Sequence, residues 1–556
     1  MIEDWRLKGE GAVRRSLAPF LLALLLFWLV GYPLVLTLLE ALGAPRWTLS
    51  HFLDFASRPA EWQALWASLW ISLATVLLSA AIGVPLAFLF ERNEFPGRRL
   101  LGALVALPVA LPPLIGVLAF LFLYGESGFA SRSIQALVRL KEPPWRLSGP
   151  AAILLVHAYS MYVYFYLFTR AGLARMDGAL LEAAASLGAS RRRTAARVTV
   201  PLLAPALTGA ALLTFMTSLA SFSAPYVFGG SFRVMTTQIV ASKLNGDTGL
   251  AMVETTMLAA IAFAGLWLLR RTEGSRDVVG AIRGVAPRRQ IRRGKWAVTA
   301  AGWALALLLL LPHATLVLVS FVPRDTWTTE ALPPVVDLGN YGALFSQPER
   351  LRPIFNSVWM ASTATAGAVV LGFVAAFVAV RRRTRWSGAL ETLIAAPWAL
   401  PGTVFAVALA AAFSVNAPWT GRFVLVGTLA ILPLGYLVRS VPLTGRAAFA
   451  GLRQMDPALE EAAASLGASG GRRFRRIILP QVRPAIAAGA SLAFLAALGD
   501  FVISIILYTY ETRPISIEIL SSLRLQEIGV AAAYGVLLTV LSAAAFLMWG
   551  RDASAS

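Results

Sequence analysis

Twelve stretches of this chain are long and almost free of charge, and they restrict its possible folds more than any other feature. Ten contain no charged residue: Leu17–Leu39, Trp62–Phe90, Leu100–Tyr124, Leu147–Thr169, Val198–Phe232, Trp296–Pro323, Ile354–Val380, Thr392–Thr420, Phe423–Val438 and Ile528–Gly550. Two more contain one acid each, Leu250–Leu269 with Glu254 and Ala485–Tyr510 with Asp500. Roughly 20 apolar residues in a helix cross the hydrocarbon core of a bilayer. The sequence therefore predicts an all-α integral membrane protein with twelve transmembrane helices, numbered span 1 to span 12 in chain order.

The composition of the chain excludes an ordinary soluble protein. Of its 556 residues, 58% are hydrophobic and 14% are charged, whereas a soluble domain carries about 25% charged residues. The chain contains no cysteine, so neither disulfides nor thiol chemistry can be argued.

The net charge of +20 is distributed as in a membrane protein and does not indicate a nucleic-acid partner. Arginine and lysine cluster before span 1 and in alternate loops, where they follow spans 2, 4, 8 and 10. Loops rich in these residues stay on the cytoplasmic side. We therefore expect a multi-pass protein of the bacterial cytoplasmic (inner) membrane with both termini in the cytoplasm.

One nine-residue string, EAAASLGAS, occurs at Glu182–Ser190 and again at Glu461–Ser469, an offset of 279 residues. The pair Pro108 and Pro112 recurs as Pro397 and Pro401, at an offset of 289 residues. The chain therefore contains two parallel six-helix repeats related by an axis along the membrane normal. We predict a first unit at 1–272, a basic cytoplasmic linker at 273–295 and a second unit at 296–556.

The repeated string has the signals of a short helix followed by a break. Asp456 is a good N-cap, Pro457 suits the first helical position, and Gly467 suits a left-handed end. Asp177 to Gly188 repeats this pattern without the proline. The glutamate of each copy is either a simple capping acid or a contact with a partner. Two identical copies on one side of the membrane favour two equivalent docking points for a partner with a groove.

These strings, followed by Pro201 and Pro480, resemble the EAA loops of ABC-importer permeases, and the resemblance covers essentially the whole chain. It implies two fused permease units whose loops couple to a cytoplasmic ATPase dimer, with a periplasmic or lipid-anchored solute-binding protein outside. Carried onto this sequence, the coupling residues are Glu182, Ala183, Ala184, Gly188, Glu461, Ala462, Ala463 and Gly467.

Motifs of catalysis are missing from the sequence. It contains no GxxxxGK[ST] phosphate loop and no HExxH or CxxC motif, and His157 is alone among apolar residues, so we assign neither a catalytic nor a metal site. The chain is predicted to be a transport subunit that is not an enzyme and has no cofactor, with ATP and Mg²⁺ bound by the partner ATPase. Membrane lipid is its other expected partner.

Polar groups and prolines inside the spans are candidates for the translocation pathway. Acids in a membrane are functional candidates by default, although Glu254 and Asp500 could also lie near an interface. Proline pairs free backbone carbonyls, and such breaks commonly line a cavity. The pathway candidates are Pro108, Pro112, Pro397, Pro401, Glu254 and Asp500.

The solute is indicated only by resemblance. The fusion of both units, with the segments Pro225–Arg233 and Arg513–Arg524, is most similar to the ferric-iron permeases. Thiamine, polyamine and phosphonate permeases remain alternatives. A secondary transporter would share the repeat but requires ion-coupling acids in its spans, for which only Glu254 and Asp500 qualify.

Overall fold

The computed structural model describes residues 17–110, 112–273, 289–290, 295–323, 333, 335–382 and 384–554. Most of these residues are helical. The strands within these ranges are two residues long, Asn93–Glu94 paired in parallel with Arg289–Gln290. Apart from residues 273, 289, 290 and 295, the predicted linker 273–295 lies outside the described residues.

The chain forms two compact units, and neither is continuous in sequence. Unit A comprises Asp54–Gly246 and Met257–Asn340, and unit B comprises Met1–Leu53, Asp247–Thr256 and Tyr341–Ser556. Span 1 therefore belongs with spans 8 to 12, and span 7 belongs with spans 2 to 5. The boundary between the sequence repeats stays a prediction.

Unit A contains the long helices of spans 2, 4, 5 and 7, together with a broken span 3. Its helices are Pro59–Arg92, Arg98–Ala106, Leu107–Ala110 (3₁₀), Pro113–Tyr124, Phe129–Val138, Gly149–Ala174, Gly178–Ser186, Arg191–Thr194, Ala195–Thr199 (π), Val200–Leu219, Ser223–Phe228, Met235–Leu244 and Lys295–Ser320. Helix Thr248–Glu273, which is span 6, contributes its first turns to unit B and the remainder to unit A.

Unit B contains spans 1 and 8 to 12. Its helices are Leu17–Ala41 (with a π turn at Phe27–Gly31), Ser50–Ser57, Gly339–Ser346, Pro348–Phe377, Val378–Arg382 (π), Ser387–Ala399, Gly402–Ala412, Pro418–Thr420 (3₁₀), Ile431–Gln454, Pro457–Ser465, Gly470–Arg473, Phe474–Ile478 (π), Leu479–Leu498, Val502–Leu507, Ile515–Arg524 and Ile528–Ser554. Ser50–Ser57 and Gly339–Ser346 each begin in one unit and end in the other.

The membrane fold is confirmed, but several predicted boundaries are not. Within the described part of the chain, ten helices are long and apolar enough to cross a membrane, and a bent pair makes an eleventh candidate. Span 5 ends at Leu219 and span 11 at Leu498, earlier than predicted. Span 10 corresponds to the helix Ile431–Gln454, which is not among these candidates, and not to the predicted Phe423–Val438. The start differs because the preceding residues form turns, with left-handed backbone at Gly421 and Gly427.

Small residues allow the long helices to approach closely, as is usual where lipid surrounds the protein. In unit A, a β-carbon on Gly83 would lie 2.3 Å from the carbonyl oxygen of Tyr162. In unit B, a β-carbon on Gly372 would lie 2.7 Å from the backbone nitrogen of Gly445. These two glycines are 289 positions apart, so both repeats keep the same close helix crossing.

The first span of each sequence repeat packs in the unit formed by the other repeat. In unit B, Ala23 and Leu26 of span 1 belong to the same apolar cluster as Ala368 of span 8. In unit A, the Tyr159 hydroxyl of span 4 donates to the Leu309 carbonyl of span 7 at 2.6 Å. Hydropathy identifies a span but not its neighbours, so this exchange of first spans could not be predicted from it.

Candidate functional site

Both copies of the repeated string form the same capped helix. We call Gly178–Ser186 the first coupling helix and Pro457–Ser465 the second, after the role that the resemblance implies. The carboxylate of Asp177 accepts the backbone N–H of Ala179, and that of Asp456 accepts the N–H of Ala458, each at 2.9 Å. The two helices start alike because an N-cap acid satisfies one of the donors left free in the first turn.

A glycine in the left-handed conformation follows each coupling helix. Gly188 has φ +72° and Gly467 has φ +76°. A β-carbon at either position would meet no atom within 4 Å. The glycines are therefore needed for the backbone turn and not for space, which agrees with the predicted helix end.

The coupling helices present an exposed surface of small and apolar side chains. Glu182 and Ala183 are exposed and Ala184 is half-buried, and Glu461, Ala462 and Ala463 repeat this pattern. The leucine before each glycine is among the most exposed residues described, with Leu187 at 87% and Leu466 at 89%. Both repeats therefore carry an exposed leucine beside small alanines at the same position.

After the glycine break, a second short helix leads through a π turn into each long span. Ala195–Thr199 leads into Val200–Leu219, and Phe474–Ile478 leads into Leu479–Leu498. Single π turns inside helices are frequent at functional sites. Between the glycine break and the end of span 5 or span 11 the chain is therefore continuously helical.

The predicted proline pairs lie at breaks in spans 3 and 9. In unit B, Pro397 belongs to Ser387–Ala399 and Pro401 caps Gly402–Ala412, with an angle of 111° between the two helices. In unit A, Pro108 lies in a 3₁₀ turn and Pro112 caps Pro113–Tyr124. Both spans are therefore broken rather than continuous helices.

Arg439 of span 10 binds the carbonyls that the break in span 9 leaves free. Its Nη1 donates to the carbonyl oxygens of Pro397 at 2.8 Å and Leu400 at 2.9 Å. Its charge also interacts with that of Asp500. Asp500 in turn accepts the backbone N–H groups of Ile503 and Ser504, at 2.8 Å and 3.3 Å. The break in unit B is therefore stabilised by the two hydrogen bonds that Arg439 donates to its carbonyls.

Arg439 is the first of three arginines on span 10 that contact the helix Ser387–Ala399 of span 9. Arg446 and Arg453 follow it at seven-residue intervals, which places them along one face of Ile431–Gln454. The Arg446 guanidinium lies 5.1 Å from the Trp398 ring centre, and Arg453 Nη2 contacts both Glu391 oxygens at 2.9 Å and 3.0 Å. We name this set the arginine stripe.

In unit A the corresponding region is polar but carries no comparable charge pair within the described residues. His157 approaches Thr75 at 3.3 Å and Ser218 at 3.1 Å through Nδ1, and Ser221 at 2.9 Å through Nε2. By the offset of 279 residues, Ser160 is the equivalent of Arg439, and Ser221 is the equivalent of Asp500. The two repeats therefore place different chemistry at equivalent depths.

In unit A, tyrosine hydroxyls bind the carbonyls near the break, as Arg439 does in unit B. The Tyr162 hydroxyl donates to the Val105 carbonyl at 2.6 Å, and the Tyr166 hydroxyl donates to the Gly102 carbonyl at 3.3 Å. Both rings are fully buried. These tyrosines therefore support the broken helix.

The family comparison agrees with this duplicated architecture. The profile of the family described as "Binding-protein-dependent transport system inner membrane component" matches the chain twice, at residues 83–273 and 368–550. Each match includes one coupling helix and the broken span before it. The chain belongs to this family.

Relatives of this inner membrane component are ABC permeases. The probable ABC transporter permease protein y4fN of Sinorhizobium fredii is 30% identical over 488 residues, which cover 86% of this chain and 85% of y4fN. The ferric transport system permease protein FbpB of Actinobacillus pleuropneumoniae is 28% identical over 460 residues, 80% of this chain and 64% of FbpB. The sulfate transport system permease protein CysT of Escherichia coli is 28% identical over 251 residues, 44% of this chain and 85% of CysT.

The remaining pathway candidate, Glu254, lies in helix Thr248–Glu273 and is fully buried. The residue that sequence reasoning missed in this permease is Arg439. Its signal was available, since an arginine followed span 10 as predicted and two more followed at seven-residue intervals. Placing span 10 at Phe423–Val438 put Arg439 at the edge of the membrane, where arginine needs no explanation.

Proposed function

We propose that this ABC permease imports ferric iron and that its two coupling helices dock on a separate ATPase dimer. The observation that carries the docking proposal is the matched pair of capped, glycine-terminated helices with exposed Leu187 and Leu466. An apolar side chain that is almost fully exposed at the same position in both repeats is best explained by a partner that covers it.

The residues of this chain would act as a mechanical relay. ATP with Mg²⁺ on the partner supplies the energy for the transport cycle. Movement of a docked coupling helix would pass through the adjoining π turn to span 5 or span 11. In unit B, Asp500 lies directly after the helix of span 11, and its charge interacts with that of Arg439, which binds the break in span 9. Alternating access would then involve breaking and remaking these contacts near the proline pairs.

Iron is favoured over the other solutes by the extent of the similarity. FbpB of A. pleuropneumoniae aligns over 80% of this chain and therefore over both repeats. CysT aligns over 44%, and the molybdenum transport system permease ModB of Mycobacterium tuberculosis aligns over 33%, so each corresponds to a single repeat. The shared fusion supports a ferric solute, which a binding protein would deliver to the outer face.

An ion-coupled secondary transporter is a weaker proposal for this chain. It requires acids that exchange an ion or a proton within the spans, and the candidates were Glu254 and Asp500. Asp500 accepts the backbone N–H groups of Ile503 and Ser504 at 2.8 Å and 3.3 Å, so its carboxylate caps the helix Val502–Leu507. A carboxylate held by the backbone in this way is better suited to stabilising the fold than to exchanging an ion.

Uptake of radioactive ferric iron by iron-limited cells, with and without this chain, tests the proposed solute. We expect deletion to abolish the energy-dependent component and the full-length chain to restore it. Labelled sulfate and molybdate, measured in the same cells, serve as controls and should enter at unchanged rates. Unchanged iron uptake together with lost sulfate or molybdate uptake would show that the solute is an oxyanion and not iron. The permease function would still hold. If all three are unchanged, thiamine, polyamines and phosphonates become the next solutes to test.

A further inference from the structure

An ion pair ties the second coupling helix to the end of span 8. Nη2 of Arg381 lies 2.8 Å from Oε1 of Glu460, and the two side chains are 17% and 21% exposed. Arg381 lies in the π turn Val378–Arg382 that ends span 8. Glu460 lies in the first turn of the coupling helix, directly before Glu461. This contact therefore joins the docking surface to a second long span, separate from the covalent path into span 11.

The first repeat makes the equivalent connection with different chemistry. Arg92, which is 289 positions before Arg381, donates from Nη2 to the sulfur of Met176 at 3.0 Å. Leu181 occupies the position of Glu460 and packs against the buried cluster of Leu173, Met176 and Leu203. An arginine at the end of the preceding long span thus contacts the coupling segment in both repeats.

We propose that Arg92 and Arg381 are positioning residues that fix each coupling helix to the end of span 2 or span 8, by an apolar and sulfur contact in the first repeat and by an ion pair in the second. The inference rests on the proposed coupling role of these helices. It adds a path from the docking surface to span 8, which the EAA-type string itself does not contain.

The difference in chemistry makes the two docking points unequal. Leu181 in its apolar cluster requires no partner charge, whereas Glu460 needs Arg381 to offset the loss of water around a mostly buried carboxylate. Neutralising Glu460 should therefore loosen the second coupling helix and leave the first one in place. The contact between Arg92 and Met176 involves no pair of opposite charges, so neutralising Glu460 should not affect it.

Glu460→Gln in the full-length chain, assembled with its ATPase, is the direct test. We expect uptake of the transported solute to fall by at least about fivefold. This is the smallest change in an equilibrium that we expect when a well-formed interaction is lost. The charge-exchanged chain Arg381→Glu with Glu460→Arg should recover most of this loss, which a purely local structural role of either residue would not predict. Glu391→Gln, which breaks the exposed pair with Arg453, is the matched control and should retain near-normal uptake.

A second measurement reports the position of the helix without transport. The chain has no cysteine, so spin labels can be attached at Gly388→Cys, where a β-carbon meets open space, and at the exposed Ala464→Cys. The distance distribution should broaden with Glu460→Gln and narrow again in the charge-exchanged chain. Unchanged uptake and an unchanged distribution with Glu460→Gln would overturn the proposal. If Gly467→Asp also leaves uptake normal, the coupling role itself fails; if Gly467→Asp abolishes uptake while Glu460→Gln does not, only the anchor fails.

Discussion

Gly467→Asp is expected to abolish transport while the chain still folds and inserts in the membrane. The left-handed backbone at Gly467 costs a non-glycine residue roughly 1–2 kcal/mol, and aspartate tolerates it better than most residues. Since a side chain there meets no atom within 4 Å, the core is not disturbed. The new carboxylate instead lies next to Leu466, on the apolar surface that we propose enters the partner's groove.

The control for this substitution is Gly427→Asp. Gly427 has φ +85° and equally open surroundings, so the backbone cost is the same. Gly427 precedes the span 10 helix Ile431–Gln454 and Gly467 follows it, so the two glycines lie at opposite ends of span 10. Copurification of the ATPase with the tagged permease should be lost for Gly467→Asp and retained for Gly427→Asp. Normal uptake by Gly467→Asp at normal expression would contradict the coupling assignment.

Arg439→Ser is expected to be the most destabilising of these changes. It leaves the charge of Asp500 without its partner and the carbonyls of Pro397 and Leu400 without their donor. Losing a hydrogen bond from a charged donor costs about 1.5–3 kcal/mol, and Arg439 makes two. Thermal unfolding of the purified chain in detergent should show a large fall in midpoint temperature, and uptake should fall with it.

The first repeat supplies the compensating change for this site. It has Ser160 and Ser221 at the positions of Arg439 and Asp500, so Arg439→Ser with Asp500→Ser reproduces a combination that the fold already accommodates. We expect the double substitution to be more stable than Arg439→Ser alone, because no unpaired charge is left. Arg453→Ala, which removes an exposed pair, should change stability by about 0–1 kcal/mol. A double substitution no more stable than the single one would show that the charge pair is not what holds the break.

The coupling helices were predictable because their signals are local. Asp456, Pro457 and Gly467 fix the start and end of the second helix within a few residues, and the first helix forms at the equivalent positions without the proline. The locations of the breaks at Pro401 and Pro112 follow from the same kind of signal, since proline removes a backbone donor.

The partners of these elements were not predictable, because they depend on contacts between residues far apart in the chain. Nothing around Pro397 indicates that Arg439 binds its carbonyl. The packing of Leu26 in unit B also follows from close contacts of small residues, which hydropathy does not register. Comparison of the two repeats provides a partial signal. At an aligned pair such as Glu460 and Leu181, where one copy carries a charge and the other does not, the two repeats make different contacts.

The central claim is that both coupling helices dock on an ATPase, and single-cysteine cross-linking tests it most directly. Leu187→Cys and Leu466→Cys, each in the cysteine-free chain and labelled with a photoreactive maleimide, should both give adducts with the coexpressed ATPase. Leu137→Cys, on the predicted outer side and 83% exposed, is the control and should give none. Adducts from both loops are the predicted result. Absence of an adduct from either loop, in membranes where this permease still supports ATP-dependent uptake, would contradict the account.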